Sequence, residues 1–181
     1  MVVVFLAEGF EEIEALATVD ILRRCGIEVE TVSITDERTV TGAHNIPVLA
    51  DKNMNDMVAS GLEAVILPGG LPGSDYLQES RFVNDTLHSC FSRGALVAAI
   101  CAAPKVLGAA GLLNGKCATC YPGFEGELKG ATHTTNRVAI DGNVITSRGA
   151  GTAHDFAFAI ASYLGKEREA KKVREAMLYD I

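Results

Sequence analysis

Cys101 stands where an apolar run meets a run of small residues: Ala95-Leu-Val-Ala-Ala-Ile100, then Cys101, then Ala102-Ala-Pro104. An unbroken apolar run of that length reads as a strand buried on both faces of a parallel sheet. Pro104 suits the first turn of a following helix, which the sequence carries on to Leu113. A sharp strand-to-helix turn lifts one side chain out of the sheet and leaves free backbone N–H groups around it, the geometry of a nucleophile elbow. A thiol held there faces the positive end of the helix, which predicts a lowered pKa and ready oxidation. The competing reading is a buried cysteine acting as a small hydrophobe.

Other residues of chemical type are less informative by themselves. Glu11, Glu12 and Glu14 fall in the first turn of a helix, where the dipole favours acids. Pro68-Gly-Gly70 follows an apolar strand and allows the backbone to approach a ligand closely, although many plain loops share that sequence. The histidines are His44, His88, His133 and His154. Cys117 and Cys120 form a CxxC, but on a strand residues three apart face opposite ways, and no second pair completes a zinc site. Gly149-Ala-Gly151 lacks the lysine and spacing of a phosphate loop. The residues therefore call for no metal and no cofactor.

The elements that must position these groups alternate. Val2 to Leu6 reads as a strand, and Glu11 to Cys25 as a helix with an apolar stripe of Ile13, Leu16, Val19 and Leu22 at three-residue spacing and Gly26 as its stop. Glu28 to Ile34 is a strand, Asn45 to Ala50 a short one, Asn55 to Ser60 a helical turn or two, and Ala64 to Leu67 a buried strand. Ser80 to Ser92 is an amphipathic helix. Cys117 to Tyr121, Thr132 to Thr135 and Arg137 to Ile140 read as short strands. Val138 to Ile145 forms a hairpin with a type I′ turn at Asp141-Gly142. Thr152 caps a helix to Leu164, and a charged helix closes the chain. This βαβ alternation predicts a doubly wound, mostly parallel α/β sheet with helices on both faces. Ligands bind such sheets at the carboxyl ends of the strands. There the loops at Ala7–Phe10, Pro68–Gly70 and Cys101 converge.

At 181 residues the chain reads as one domain, 1–181. A net charge of −7 argues against nucleic acid and anionic membranes as partners. No apolar stretch reaches the length of a membrane span. Met1-Val-Val-Val-Phe-Leu6 reads as a strand with no leader, and five cysteines without framework spacing fit a reducing cytoplasm.

Four motifs carry a resemblance: Ala7-Glu-Gly-Phe-Glu-Glu-Ile-Glu-Ala15, Leu67-Pro-Gly-Gly70, Ala98-Ala-Ile-Cys-Ala-Ala-Pro104 and Thr146-Ser-Arg-Gly-Ala-Gly-Thr152. Together they resemble the ThiJ/PfpI superfamily, nearest the branch of the parkinsonism-associated protein DJ-one and its bacterial relatives. The match runs through almost the whole chain. It implies a flavodoxin-like three-layer α/β/α sandwich of the class I glutamine amidotransferase type, and a homodimer with Arg24 at the contact. It implies that Glu14 lies beside the elbow Cys101. It also implies a backbone cradle from the Gly69-Gly70 loop, with the N–H of Gly70 joined by those of Cys101 and Ala102. In that branch a histidine from a later loop approaches the cysteine, and His133 is the nearest candidate here. His44 stands where the branch has a pocket arginine. The peptidase-like branch places a histidine straight after the nucleophile, and Ala102 in that position weakens amide or peptide hydrolysis. The resemblance implies a cofactor-independent, glutathione-independent glyoxalase (a hydro-lyase) or deglycase acting on small carbonyls such as methylglyoxal and glyoxal. Its rival is a non-enzymatic oxidative-stress sensor or chaperone working through Cys101 oxidation.

Overall fold

A computed structural model describes residues 1–179. In chain order the elements are β1 (Val2–Leu6), α1 (Glu12–Arg24), β2 (Val29–Ser33), β3 (Thr39–Thr41), β4 (Pro47–Leu49), β5 (Lys52–Asn53), β6 (Ala64–Leu67), α2 (Gly73–Glu79) and α3 (Arg81–Ser92). Then come β7 (Leu96–Ile100), α4 (Pro104–Ala109), β8 (Cys117–Ala118), β9 (Thr132–His133), β10 (Val138–Asp141), β11 (Val144–Ser147), α5 (Ala153–Tyr163) and α6 (Glu167–Ala176). The main sheet runs β10-β11-β7-β6-β1-β2-β5. Only β10 is antiparallel to its neighbour.

Every residue of β1, β6, β7 and β11 is buried. This is what unbroken apolar runs require when both faces of a sheet are covered. Side chains alternate between two cores. Val2, Val4, Leu6, Ala64, Ile66, Leu96, Ala98 and Ile100 pack with α1 and α5 on one side. Val3, Phe5, Val65, Leu67, Val97 and Ala99 pack with α3 and α4 on the other. The result is the expected three-layer α/β/α sandwich. The chain leaves β1 toward β2 on one side and toward β6 on the other, so strand order reverses between β1 and β6. That is the crevice where doubly wound sheets place ligands.

The structure departs from the sequence expectations in several places. On α1, Val19 and Leu22 are buried, but Ile13 and Leu16 are exposed at 53% and 37%. A three-residue spacing drifts by about 60° per step around a helix of 3.6 residues per turn, so four such positions cannot share one face. Their place on the buried face is taken by Glu12, Glu14, Ala15, Thr18 and Ile21. Residues 55–60 form no helix. β4 pairs antiparallel with β3, a hairpin the sequence did not suggest. The helix from Pro104 ends at Ala109, short of Leu113. The β10–β11 turn is Gly142-Asn143, and only Gly142 has positive φ, the pattern of a type II′ turn rather than I′. The Thr152 hydroxyl does not cap α5. It accepts from the Gly149 N–H at 3.1 Å and bonds Ser147 Oγ at 2.7 Å, pinning the loop between them.

Candidate active site

Cys101 sits at the end of β7 with φ +65°, a left-handed conformation that an L-residue adopts at a cost of roughly 1–3 kcal/mol. Tertiary bonds on both sides hold it. Its N–H donates to the Ser147 carbonyl at 3.0 Å, and its carbonyl accepts from the Tyr121 N–H at 2.8 Å. The side chain is left partly exposed, and the N–H groups of Ala102 and Gly70 bond to its sulfur. The cradle therefore differs from expectation in two members. The Cys101 N–H is already spent on the sheet, and the Gly69 N–H is spent on Glu14.

Glu14 projects from the first turn of α1 and is buried. Its Oε2 accepts the Gly69 N–H at 2.8 Å, and its carboxyl shares a hydrogen bond with the Cys101 thiol. Its other oxygen, Oε1, is buried without a hydrogen-bond partner of its own among the described residues. Only glycine fits at position 69. A Cβ there would stand 2.6 Å from both Cys101 Cβ and Glu14 Oε2. Glu11 and Glu12 diverge from their neighbour. Glu12 turns to His44, whose N–H and Nδ1 each lie 2.8 Å from a carboxylate oxygen.

Burial raises the Glu14 carboxyl to about 7, and the nearby Glu11 charge adds to this, while the Cys101 thiol and the Gly69 N–H pull the other way. Burial also pushes the Cys101 thiol up, and the Glu14 charge pushes it further; the Ala102 and Gly70 N–H groups lower it. The lowered thiol pKa expected from the helix end is thus not what the site presents. The two groups are coupled through one proton. With the proton on Glu14, repulsion vanishes and its O–H can donate to the sulfur, so thiolate and neutral carboxylic acid form together.

His133 lies exposed on β9, where its electrostatic partner is Glu125. The groups that act most on the Cys101 thiol are Glu14 and the Ala102 and Gly70 N–H groups, with no histidine among them. His44 serves Glu12. Arg24 lies exposed, paired with Asp20 at 2.6 Å. Ala102 is buried, and its methyl side chain offers no base next to the nucleophile. Sequence reasoning missed Tyr121 and Arg148. With Gly149 and Pro122 they line a cavity of about 340 Å³. A Cβ on Gly149 would lie 3.2 Å from the Tyr121 ring and 3.9 Å from Cys101 Sγ, so the cavity opens beside the thiol. The available signal was Ser147-Arg-Gly149 in the fourth motif, directly after the strand that neighbours β7.

A cysteine on a strained elbow, cradled by two N–H groups and backed by a buried glutamic acid at the carboxyl ends of the strands of a doubly wound sheet, defines a class of α/β proteins with a reactive thiol. The chain belongs to the DJ-1/PfpI family, whose pattern matches residues 1–163. It is 38% identical over 177 residues to protein dj-1beta of Drosophila melanogaster, covering 97% of this chain and 95% of that protein. It is 36% identical over 179 residues to the Parkinson disease protein 7 homolog of Danio rerio, again covering 97% and 95%. Among solved structures, oxidized DJ-1 of Toxoplasma gondii superposes with a TM-score of 0.95 at 34% identity, covering 99% of this chain and 98% of that one. A cysteine-to-alanine mutant of a Salmonella typhimurium DJ-1 superfamily protein does so at 0.94 and 36%, with the same coverage. Among the described residues, no helix is long and apolar enough to cross a membrane.

Proposed function

We propose that this chain, acting as one domain, is a cofactor-independent glyoxalase or deglycase for small reactive aldehydes such as methylglyoxal and glyoxal, or their adducts on amino groups. The observation that carries this reading is the Glu14 carboxyl, raised to about 7 and bonded to the Cys101 thiol. A group poised near neutrality can give and take protons at the reacting carbon. The thiolate adds to the aldehyde carbon, and the resulting oxyanion takes a proton to give a hemithioacetal. Ionised Glu14 removes the C–H proton from that carbon, and the electron pair moves to the adjacent carbonyl to form an enediol. Reprotonation of the adjacent carbon gives a thioester. Water hydrolyses it, releasing lactate from methylglyoxal and restoring the thiol. The N–H groups of Ala102 and Gly70 stabilise negative charge at the sulfur end of this sequence.

The test is lactate formation from methylglyoxal without glutathione, compared between wild type and Cys101→Ser. Turnover that depends on Cys101 is expected; turnover that survives the substitution overturns the assignment. A second reading has its own support: one close structural relative is an oxidized DJ-1. In that reading Cys101 gains two oxygens under mild peroxide, Glu14 donates to the sulfinate, and the protein acts as a cytoplasmic oxidative-stress sensor. Little turnover together with a gain of two oxygens confined to Cys101 would favour it.

We also infer a homodimer. Ile13 and Leu16 on α1, with Ile46 just before β4 and Leu49 at its end, are exposed large apolar residues. Closed two-fold pairing is the commonest way to cover such a face. Light scattering at micromolar concentration should give twice the chain mass, and a monomer would refute the pairing.

A further inference from the structure

Arg148 follows β11 directly and lines the cavity beside Cys101. It makes no hydrogen bond or contact ion pair with any described residue, and its Nε is buried without a partner. Arg148 is half-buried, and the Nε of its guanidinium has an unmet demand for an acceptor, since an unpaired buried donor on a charged group is costly. The neighbouring charges do not meet it. Glu125 is close enough to feel the Arg148 charge, but its carboxylate accepts from the Gly123 N–H at 2.8 Å instead. Arg137, the other cation of the cavity, is tied to Asp155 at 2.7 Å and to the Gly151 carbonyl at 2.8 Å. The cavity therefore offers one free guanidinium, a second positive field and the thiol at its edge. The Tyr121 ring closes a third side.

We propose that Arg148 is a specificity-determining residue that binds the carboxylate of an anionic carbonyl substrate, and that the preferred substrates are α-oxoaldehydes carrying a carboxylate tail. The assignment of substrate class rests on the aldehyde chemistry proposed above; the anion site itself does not. With such a substrate the bonds made and broken at Cys101 and Glu14 are those written for methylglyoxal. Water is again the co-reactant, and the product is a 2-hydroxy diacid.

Two measurements separate the claims. The first compares alkylation of Cys101 by iodoacetate and by neutral iodoacetamide, read by mass spectrometry in wild type, Arg148→Gln and Arg148→Lys. The iodoacetate-to-iodoacetamide rate ratio should fall roughly tenfold in Arg148→Gln, as expected for loss of one charge-assisted contact. Arg148→Lys, which keeps the charge without the fork, should retain part of it. An unchanged ratio overturns the anion site. The second compares 4,5-dioxovalerate with methylglyoxal. Wild type should favour the anionic substrate, and Arg148→Gln should raise its KM roughly tenfold, erasing the preference over methylglyoxal measured in the same variant. Equal efficiency for both substrates in wild type overturns the substrate class. If neither is turned over while the alkylation ratio still responds to Arg148, the aldehyde reading fails and the anion site stands.

Discussion

Two glutamates two residues apart in the first turn of α1 are both buried, yet their carboxyls are shifted in opposite directions. Glu12 meets the loop at Gly42 and His44, and Glu14 meets the elbow at Gly69 and Cys101. Each depends on a glycine: a Cβ on Gly42 would sit 2.3 Å from the Glu12 carboxyl carbon, much as one on Gly69 would collide with Glu14. What differs is the supply of donors. Glu12 receives the His44 N–H and faces its imidazole at Nδ1, and these hold its carboxyl below the usual range despite burial. Glu14 receives one backbone N–H and a thiol, which burial outweighs. A buried carboxyl stays charged only when enough donors replace its water. The under-supplied one is the one placed beside the nucleophile.

Cys101→Ser gives the largest expected effect. It should reduce glutathione-independent lactate formation to background while leaving the fold intact, as checked by circular dichroism. Comparable turnover in the variant would mean that Glu14 is buried for packing alone. Next come the two glycines. Gly69→Ala and Gly42→Ala should each lower stability by about 1–3 kcal/mol through overpacking. Only Gly69→Ala should also change the alkylation rate of Cys101, because only that Cβ falls between the thiol and its acid. Equal effects on the thiol from both substitutions would erase the distinction between the two regions.

Glu14→Gln should reduce turnover by about 10²–10³-fold, since an amide can donate to the sulfur but cannot shuttle the proton. It also has a stability signature. An ordinary glutamate releases its proton near 4.5 in the unfolded chain, whereas folded Glu14 keeps it to about 7. Between those values the native state holds the extra proton, so wild-type stability must fall as pH rises, by about 3 kcal/mol in total. Glutamine copies the neutral acid and should remove that slope. Urea midpoints at pH 4.5, 6 and 8 measure it. Identical slopes in variant and wild type would show that Glu14 is not held neutral.

The sequence made the elbow end legible because its signals are local. An apolar run, a proline and a Pro-Gly-Gly turn define β6, β7 and their loops without help from the rest of the chain. Glu14 could be told from Glu11 and Glu12 only through the family resemblance, since its burial is set by contacts more than fifty residues away. The stretch from Cys117 to Arg137 was not legible in the same way. Its strands β8 and β9 are two residues each and pair only with one another in a small parallel ladder. Their register is therefore fixed by tertiary contacts rather than by hydrophobic period. That is why His133 stood in for Tyr121 at the cavity. α2 escaped notice because Pro72-Gly73 reads as a loop, and its only sequence-local support is a short turn that packs against α3 and α4.

The smallest expected effect belongs to Glu12, and its sign distinguishes the two carboxyls. Its folded pKa lies below the ordinary 4.5, so its contribution is present above 4.5 and is lost as acid protonates it. His44 is shifted upward from 6.5 by its bond to Glu12 and by the Glu11 and Glu12 charges. Its share is therefore complete below 6.5 and is lost as pH climbs through the raised value. Together they stabilise the loop most in the interval between. Glu12→Gln should cost about 1 kcal/mol there, the size of a hydrogen bond made to a charged rather than a neutral acceptor. The loss should shrink toward pH 3 and pH 9, and turnover at Cys101 should not change. Glu14→Gln moves the opposite way, gaining on wild type as pH rises from 4.5 to about 7 and holding that gain above it. If both substitutions shifted the urea midpoint in the same direction at pH 8, donor supply would not be what separates the two sites.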